Sequence, residues 1–142
     1  MRIHVLNGPN LNLLGEREPD IYGTLRLSEI ETLLSEVAGA HELVFRQTQA
    51  EDELISWLHE AFVAKEPVII NPAAFTHYSY ALRDAVAALT SSGVKVIEVH
   101  ISNPHAREAF RHNSIISGVA TGVIAGFGAD SYLLALEQLT RD

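Results

Sequence analysis

The chain has 142 residues, 47% of them apolar and 20% charged, a balance that fits one ordinary globular domain over residues 1–142 and shows no sign of disorder. It contains no cysteine, which removes disulfides, thiolate nucleophiles and cysteine-based zinc sites together, and its net charge of −8 argues against a nucleic-acid partner. No apolar run approaches the roughly 18 residues needed to span a bilayer, and the start Met1-Arg2-Ile3-His4-Val5 reads as a strand rather than a signal peptide, so no membrane association and a cytoplasmic location are expected.

Short β-branched runs alternate with amphipathic stretches along the chain. Residues 3–6 are the first strand candidate, followed by a long connection over residues 7–23 that is suspect as a functional loop or lid. Leu27, Ile30, Leu33, Leu34 and Val37 then fall on one helical face, with Ser28 and Glu31 as a possible capping box. A second strand is expected over residues 43–48, and a helix follows with Leu54, Ile55, Leu58, Ala61 and Phe62 in phase. The third strand, residues 68–71, leads to a helical period through Tyr78, Ala81, Leu82, Ala85, Val86 and Leu89. A fourth strand over 94–100 precedes a short, weakly patterned helix near 106–111. The fifth strand, 121–125, precedes a last helix that buries Tyr132, Leu133, Leu136 and Leu139. The strand candidates are brief and nearly continuous in apolar residues, as strands covered on both faces should be. This alternation predicts an α/β fold, a flavodoxin-like five-stranded parallel sheet of order 2-1-3-4-5 with helices on both faces.

Such sheets bind ligands outside the carboxyl ends of their strands, where the strand order reverses. Polar residues collect at those exits: Asn7-Gly8-Pro9-Asn10 after strand one, Asn71-Pro72 after strand three and His100-Ile101-Ser102-Asn103 after strand four. Amides and an imidazole are poor core material, and although Asn alone is a common turn residue, their convergence marks a site. The stretch 100–112 gathers His100, His105, Arg107, Arg111 and His112 against the single acid Glu108, which suits a small anion or, on the plainer reading, a solvated helix face. Within the long loop, Arg17 and Tyr22 carry chemistry. A guanidinium beside a phenol favours the phenolate, which can act as a base. In the alternative reading, Tyr22 packs beneath the loop and Arg17 pairs with Glu16, Glu18 or Asp20.

Three blocks of sequence carry a resemblance. The first is Leu6-Asn7-Gly8-Pro9-Asn10-Leu11-Asn12-Leu13-Leu14-Gly15, continuing through Arg17-Glu18-Pro19 and Tyr22-Gly23. The second is Ile70-Asn71-Pro72-Ala73-Ala74-Phe75-Thr76-His77, followed by Ala81-Leu82-Arg83-Asp84-Ala85. The third is Glu98-Val99-His100-Ile101-Ser102-Asn103, with Arg107-Glu108 and Phe110-Arg111 after it and a Gly126-Phe127-Gly128-Ala129 turn near the end. In this order they resemble the type II dehydroquinases over nearly the whole chain. Phe75, Tyr78 and Pro104 depart from residues commoner in that family, at the rim of the pocket rather than at catalytic positions.

The resemblance implies a lyase that dehydrates 3-dehydroquinate to 3-dehydroshikimate by anti elimination through an enolate, without Schiff base, metal or cofactor, in shikimate biosynthesis or quinate catabolism. It implies that Tyr22 is the base, that Arg17 keeps Tyr22 ionised, that His100 is the acid, and that Asn10 holds a water against the enolate oxygen. Asn71, Ile101 and Ser102 would meet the substrate carboxylate, and His77 and Arg111 the ring hydroxyls. Asp84 would reach the site of a neighbouring subunit in a dodecamer built from trimers. Arg107 and Glu98 would support the site, Glu98 by fixing the tautomer of His100, unless strand alternation directs it to the opposite side.

Other chemistries find less support. An iminium-forming dehydratase needs a desolvated lysine, and Lys65 and Lys95 both fall at the wrong edge of the sheet. A nucleotide-binding or receiver module would need a glycine-rich phosphate loop after strand one or an acidic cluster at the strand ends. A metal site from His100, His105 and His112 matches no usual spacing, and no Gly-x-Ser-x-Gly element suggests a hydrolase.

Overall fold

The computed structural model describes residues 1–141. Five apolar runs pair in parallel: β1 (Arg2–Asn7), β2 (Glu42–Gln47), β3 (Val68–Asn71), β4 (Val96–His100) and β5 (Gly122–Ala125), in the order β2-β1-β3-β4-β5. The order reverses between β1 and β3, whose register brings Asn7 opposite Asn71. Two strand-end asparagines therefore stand side by side where the crevice opens.

Strand alternation sorts the core onto two faces. On one, Ile3, Val5, Ile69, Ile97 and Val99 pack beneath α2 (Leu27–Val37) and α5 (Asp130–Thr140), through Ile30, Leu34, Tyr132 and Leu136. On the other, Leu6, Val68, Ile70 and Val96 meet α3 (Glu51–Ala64) and α4 (Tyr80–Ser91), through Leu54, Leu58, Leu82, Val86 and Leu89. A fully buried leucine side chain is worth about 1.5–3 kcal/mol in transfer from water, so these two layers supply most of what holds the sheet.

Several local expectations need correction. Helix α2 begins at Leu27, so Ser28 lies inside it; the backbone N–H of Arg26 is capped instead by the Glu29 carboxylate at 3.0 Å. Val37 and Phe62 sit at the edges of their helical stripes and are exposed, because the 3.6-residue period carries each past the contact face. Tyr78 precedes α4, whose N-cap is Ser79, with its hydroxyl accepting from the Leu82 N–H at 3.1 Å. The expected helix near 106–111 is two 3-10 turns, Pro104–Ala106 and Ala109–His112, since Pro104 and the polar run around it offer no apolar stripe for a longer helix to bury. The long loop is also less open than its length suggests, because it contains a 3-10 turn at Leu11–Leu13 and a single helical turn, α1 (Pro19–Tyr22), that carries Tyr22.

Gly8 shows why the crevice is narrow at its base. Its N–H donates to the Asn71 carbonyl at 2.8 Å, and a Cβ there would come within 2.7 Å of the Pro72 carbonyl oxygen. Any larger residue would push the β1 and β3 exits apart.

Candidate active site

The strand exits and the loop enclose a cleft of about 110 Å³, and the residues facing it include Asn10, Arg17, Tyr22, Asn71, His77, His100, Ile101, Ser102, Arg107 and Arg111. Of the predicted site residues, only Asp84 and Glu98 lie outside this lining. Asp84 is exposed on α4, where Arg83 pairs with it at 2.9 Å. Glu98 is buried directly behind His100.

Tyr22 stands between two guanidiniums. Arg17 and Arg107 each place Cζ 4.9 Å from the Tyr22 ring centroid, and Arg107 Nη2 donates to the phenolic oxygen at 2.5 Å. The contacts of both sequence readings occur together: Arg17 lies against the Tyr22 ring while its Nε is 3.5 Å from the Glu18 carboxylate, and the ring packs against the core while its oxygen is bonded to Arg107. A positively charged donor on the phenol oxygen stabilises negative charge developing there. Arg107 also donates to Ser102 Oγ at 3.0 Å, so it ties the loop to the exit of β4. Its Nε is buried with no hydrogen-bond partner, the Glu108 carboxylate being 3.8 Å away.

Asn10 takes a left-handed backbone, φ 69°, which asparagine tolerates better than most residues. Two glutamines at the end of β2 hold this part of the loop. Gln49 accepts from the Asn10 N–H at 2.8 Å and donates to Asn12 Oδ1 at 2.8 Å, and Gln47 donates to the Gly8 carbonyl at 3.1 Å. Sequence reasoning did not find them, since nothing local relates β2 to residues 8–12.

Asn71 is similarly fixed. Its Oδ1 accepts from the Ala73 N–H at 3.1 Å, and its Nδ2 donates to the Tyr132 hydroxyl at 2.9 Å, which in turn donates to Asn7 Oδ1 at 2.7 Å. Burial holds the Tyr132 phenol well above its ordinary range, so it serves as a neutral hydroxyl link despite the Asn71 hydrogen bond, which acts the other way. The second Asn71 amide hydrogen makes no hydrogen bond among the described residues, and Asn71 lines the cleft. On the opposite wall, His77 Nδ1 donates to the Asn113 carbonyl at 2.8 Å, and Arg111 pairs with Glu108 at 3.0 Å.

Glu98 and His100 lie two residues apart on β4 and thus share a face of the sheet, so alternation brings them together rather than apart. His100 Nε2 bonds Glu98 Oε2 directly. Thr76 Oγ1 donates to the same oxygen at 2.6 Å and Ser117 Oγ to Oε1 at 2.6 Å. Burial alone would raise the Glu98 pKa, but the His100 hydrogen bond and charge, with the two hydroxyls, outweigh it and hold the carboxyl below its usual range. A glutamate inside the apolar run Val96-Ile97-Glu98-Val99 signals such a network, but not which hydroxyls supply it.

Lys65 and Lys95 line a separate cavity with Met1 at the amino-terminal edge of the sheet, away from this cleft. No helix among the described residues is long and apolar enough to cross a membrane.

The family model described as dehydroquinase class II matches residues 1–140. A 3-dehydroquinate dehydratase of Brucella canis is 55% identical over 96% of the chain and 87% of its own length. One of Salinispora tropica is 52% identical over 98% of the chain and 96% of its own. Among solved structures, the type II dehydroquinase of Propionibacterium acnes superposes with a TM-score of 0.94 at 46% identity, covering 99% of this chain and 97% of that one.

Proposed function

The chain belongs to the class II dehydroquinase family and is a lyase that dehydrates 3-dehydroquinate; on that premise we propose that Tyr22 and His100 divide the two proton transfers between them. The observation that carries this reading is the single cleft shared by a cation-flanked phenol and a carboxylate-backed imidazole.

Tyr22 as phenolate removes the C2 proton, which the C3 ketone makes acidic, and the electron pair moves onto the carbonyl oxygen as an enolate. Asn10, through a bound water, stabilises that oxygen. Collapse of the enolate expels the C1 hydroxyl, which takes a proton from His100 and leaves as water, giving the conjugated enone 3-dehydroshikimate by anti elimination. Arg107, bonded to the phenolic oxygen, and Arg17, against the ring, stabilise negative charge on Tyr22 during the first step. The Asn71 amide with the Ile101 and Ser102 backbone binds the substrate carboxylate, and His77 and Arg111 address the ring hydroxyls.

The distance of Lys65 and Lys95 from the cleft favours a route without a Schiff base, and the residues lining the cleft supply acid, base and enolate stabiliser from the protein itself, with no cofactor or metal in the scheme. We read residues 1–142 as one catalytic domain of a cytoplasmic homo-oligomer, a dodecamer built as a tetramer of trimers, in which Asp84 completes a neighbour's site. The reaction serves shikimate biosynthesis or quinate breakdown alike. An ultraviolet assay for the enone product from 3-dehydroquinate, run with and without a chelator and with borohydride present, tests the scheme. Turnover unaffected by either reagent is expected; inactivation by borohydride with substrate, through an adduct at a lysine, would overturn it.

A further inference from the structure

Glu98 is enclosed by more than His100. Thr76, from the turn after β3, and Ser114 and Ser117, from the segment before β5, close around its two oxygens. The two segments are joined by the Ile115 N–H donating to the Thr76 carbonyl at 2.9 Å. Thr76 is fully buried, and none of the three hydroxyls faces the cleft that holds Tyr22.

The backbone dictates which way these hydroxyls point. Ser114 Oγ accepts from the N–H groups of Ile116 at 3.2 Å and Ser117 at 3.1 Å, which occupies both of its lone pairs. Its own proton is then left for Thr76 Oγ1, a much nearer acceptor than Glu98 Oε2 at 3.4 Å. With that proton accepted, Thr76 turns its hydrogen to Glu98 Oε2, and Ser117 gives its hydrogen to Oε1. A carboxyl proton would find a free lone pair only at His100 Nε2, since Thr76 and Ser117 already turn their hydrogens to Glu98; with the carboxyl held below its usual pKa range, these fixed donors favour the carboxylate and leave His100 Nε2 to donate as well.

We propose that Thr76, Ser114 and Ser117 are positioning residues that lock Glu98 as an acceptor-only carboxylate and thereby keep one His100 proton on Nε2, so that the imidazolium gives its second proton, on Nδ1, to the departing hydroxyl within the cleft and is left as the neutral Nε2–H ring. The proposal rests on the assignment of His100 as the acid. A histidine with the reverse tautomer would turn a lone pair toward Glu98, so the carboxylate and its hydroxyl donors decide which nitrogen does the chemistry.

The test combines kinetics with imidazole nitrogen resonances in the ligand-free enzyme, His100 being identified by its loss in His100→Gln. In the wild type, the neutral ring of His100 is expected to keep its proton on Nε2. Thr76→Val should lower kcat by about tenfold to a hundredfold, the worth of one hydrogen bond to a charged group, with KM within about twofold. Thr76→Ser should restore kcat, and Ser117→Ala should mix the two tautomers. A wild-type neutral ring protonated on Nδ1 overturns the proposal whether or not any variant folds, as does Thr76→Val with unchanged kcat. Failure of the wild type to turn over 3-dehydroquinate would instead defeat the dehydratase scheme, which the tautomer measurement does not depend on.

Discussion

Arg107 Nη2 donates to the Tyr22 oxygen at 2.5 Å across 85 residues of chain. This one bond joins the turn after β4 to the loop after β1, and it adds a second cation to the one, Arg17, that lies close to Tyr22 in sequence. Arg107→Ala is expected to lower kcat/KM by about tenfold to a hundredfold, because a charged hydrogen bond to the base is lost. Arg107→Lys should recover little, since a single ammonium cannot reach Tyr22 and Ser102 Oγ together as the guanidinium fork does. Steady-state kinetics decide it, and a fully active lysine variant would show that charge alone suffices.

Tyr22 and His100 should separate under mutation. Tyr22→Phe is expected to abolish both dehydration and exchange of the C2 hydrogen with heavy water. His100→Ala should slow dehydration by about 10² to 10⁴-fold, the usual contribution of a positioned proton donor, while exchange suffers less because the enolate still forms. Deuterium incorporation and product formation measured side by side give the answer; near-normal exchange in Tyr22→Phe would remove the tyrosine from the mechanism.

Glu98 also makes stability depend on pH. Its folded-state pKa is below the unfolded value, so its contribution is present in full above the unfolded pKa, about 4.3 for glutamate, and is lost as pH falls through the lower folded value. Denaturant midpoints should accordingly fall in that acidic window, and Glu98→Gln should flatten the fall. Equal slopes for the two proteins would exclude Glu98 as a source of it.

Asp84 projects from α4 into solvent and does not reach the cleft of its own chain. If it completes a neighbour's site, Asp84→Ala should lose activity with an unchanged circular dichroism spectrum, and dissociated subunits should be nearly inactive. Sedimentation velocity paired with an activity assay checks this, and a fully active monomer would contradict it.

The alternation of period-2 and period-3.6 apolar patterns was enough to specify the parallel sheet, its order and the end at which the cleft opens, because burial on both faces and right-handed crossovers leave few other arrangements. The same local patterns misjudged α2's cap and the turns around Pro104, where a single hydrogen bond or proline outweighs periodicity. Residue types at the strand exits named the cleft, whereas the side taken by Glu98 was left open in the sequence reading, although residues two apart on a strand share a face. The contact of Tyr22 with Arg107, the hold of Gln49 on Asn10 and the hydroxyls around Glu98 were decided by tertiary structure alone. Each joins segments far apart in the chain through side chains on irregular turns, and no sequence period encodes the path of such turns, which depends on how the packed layers bring the strand ends together.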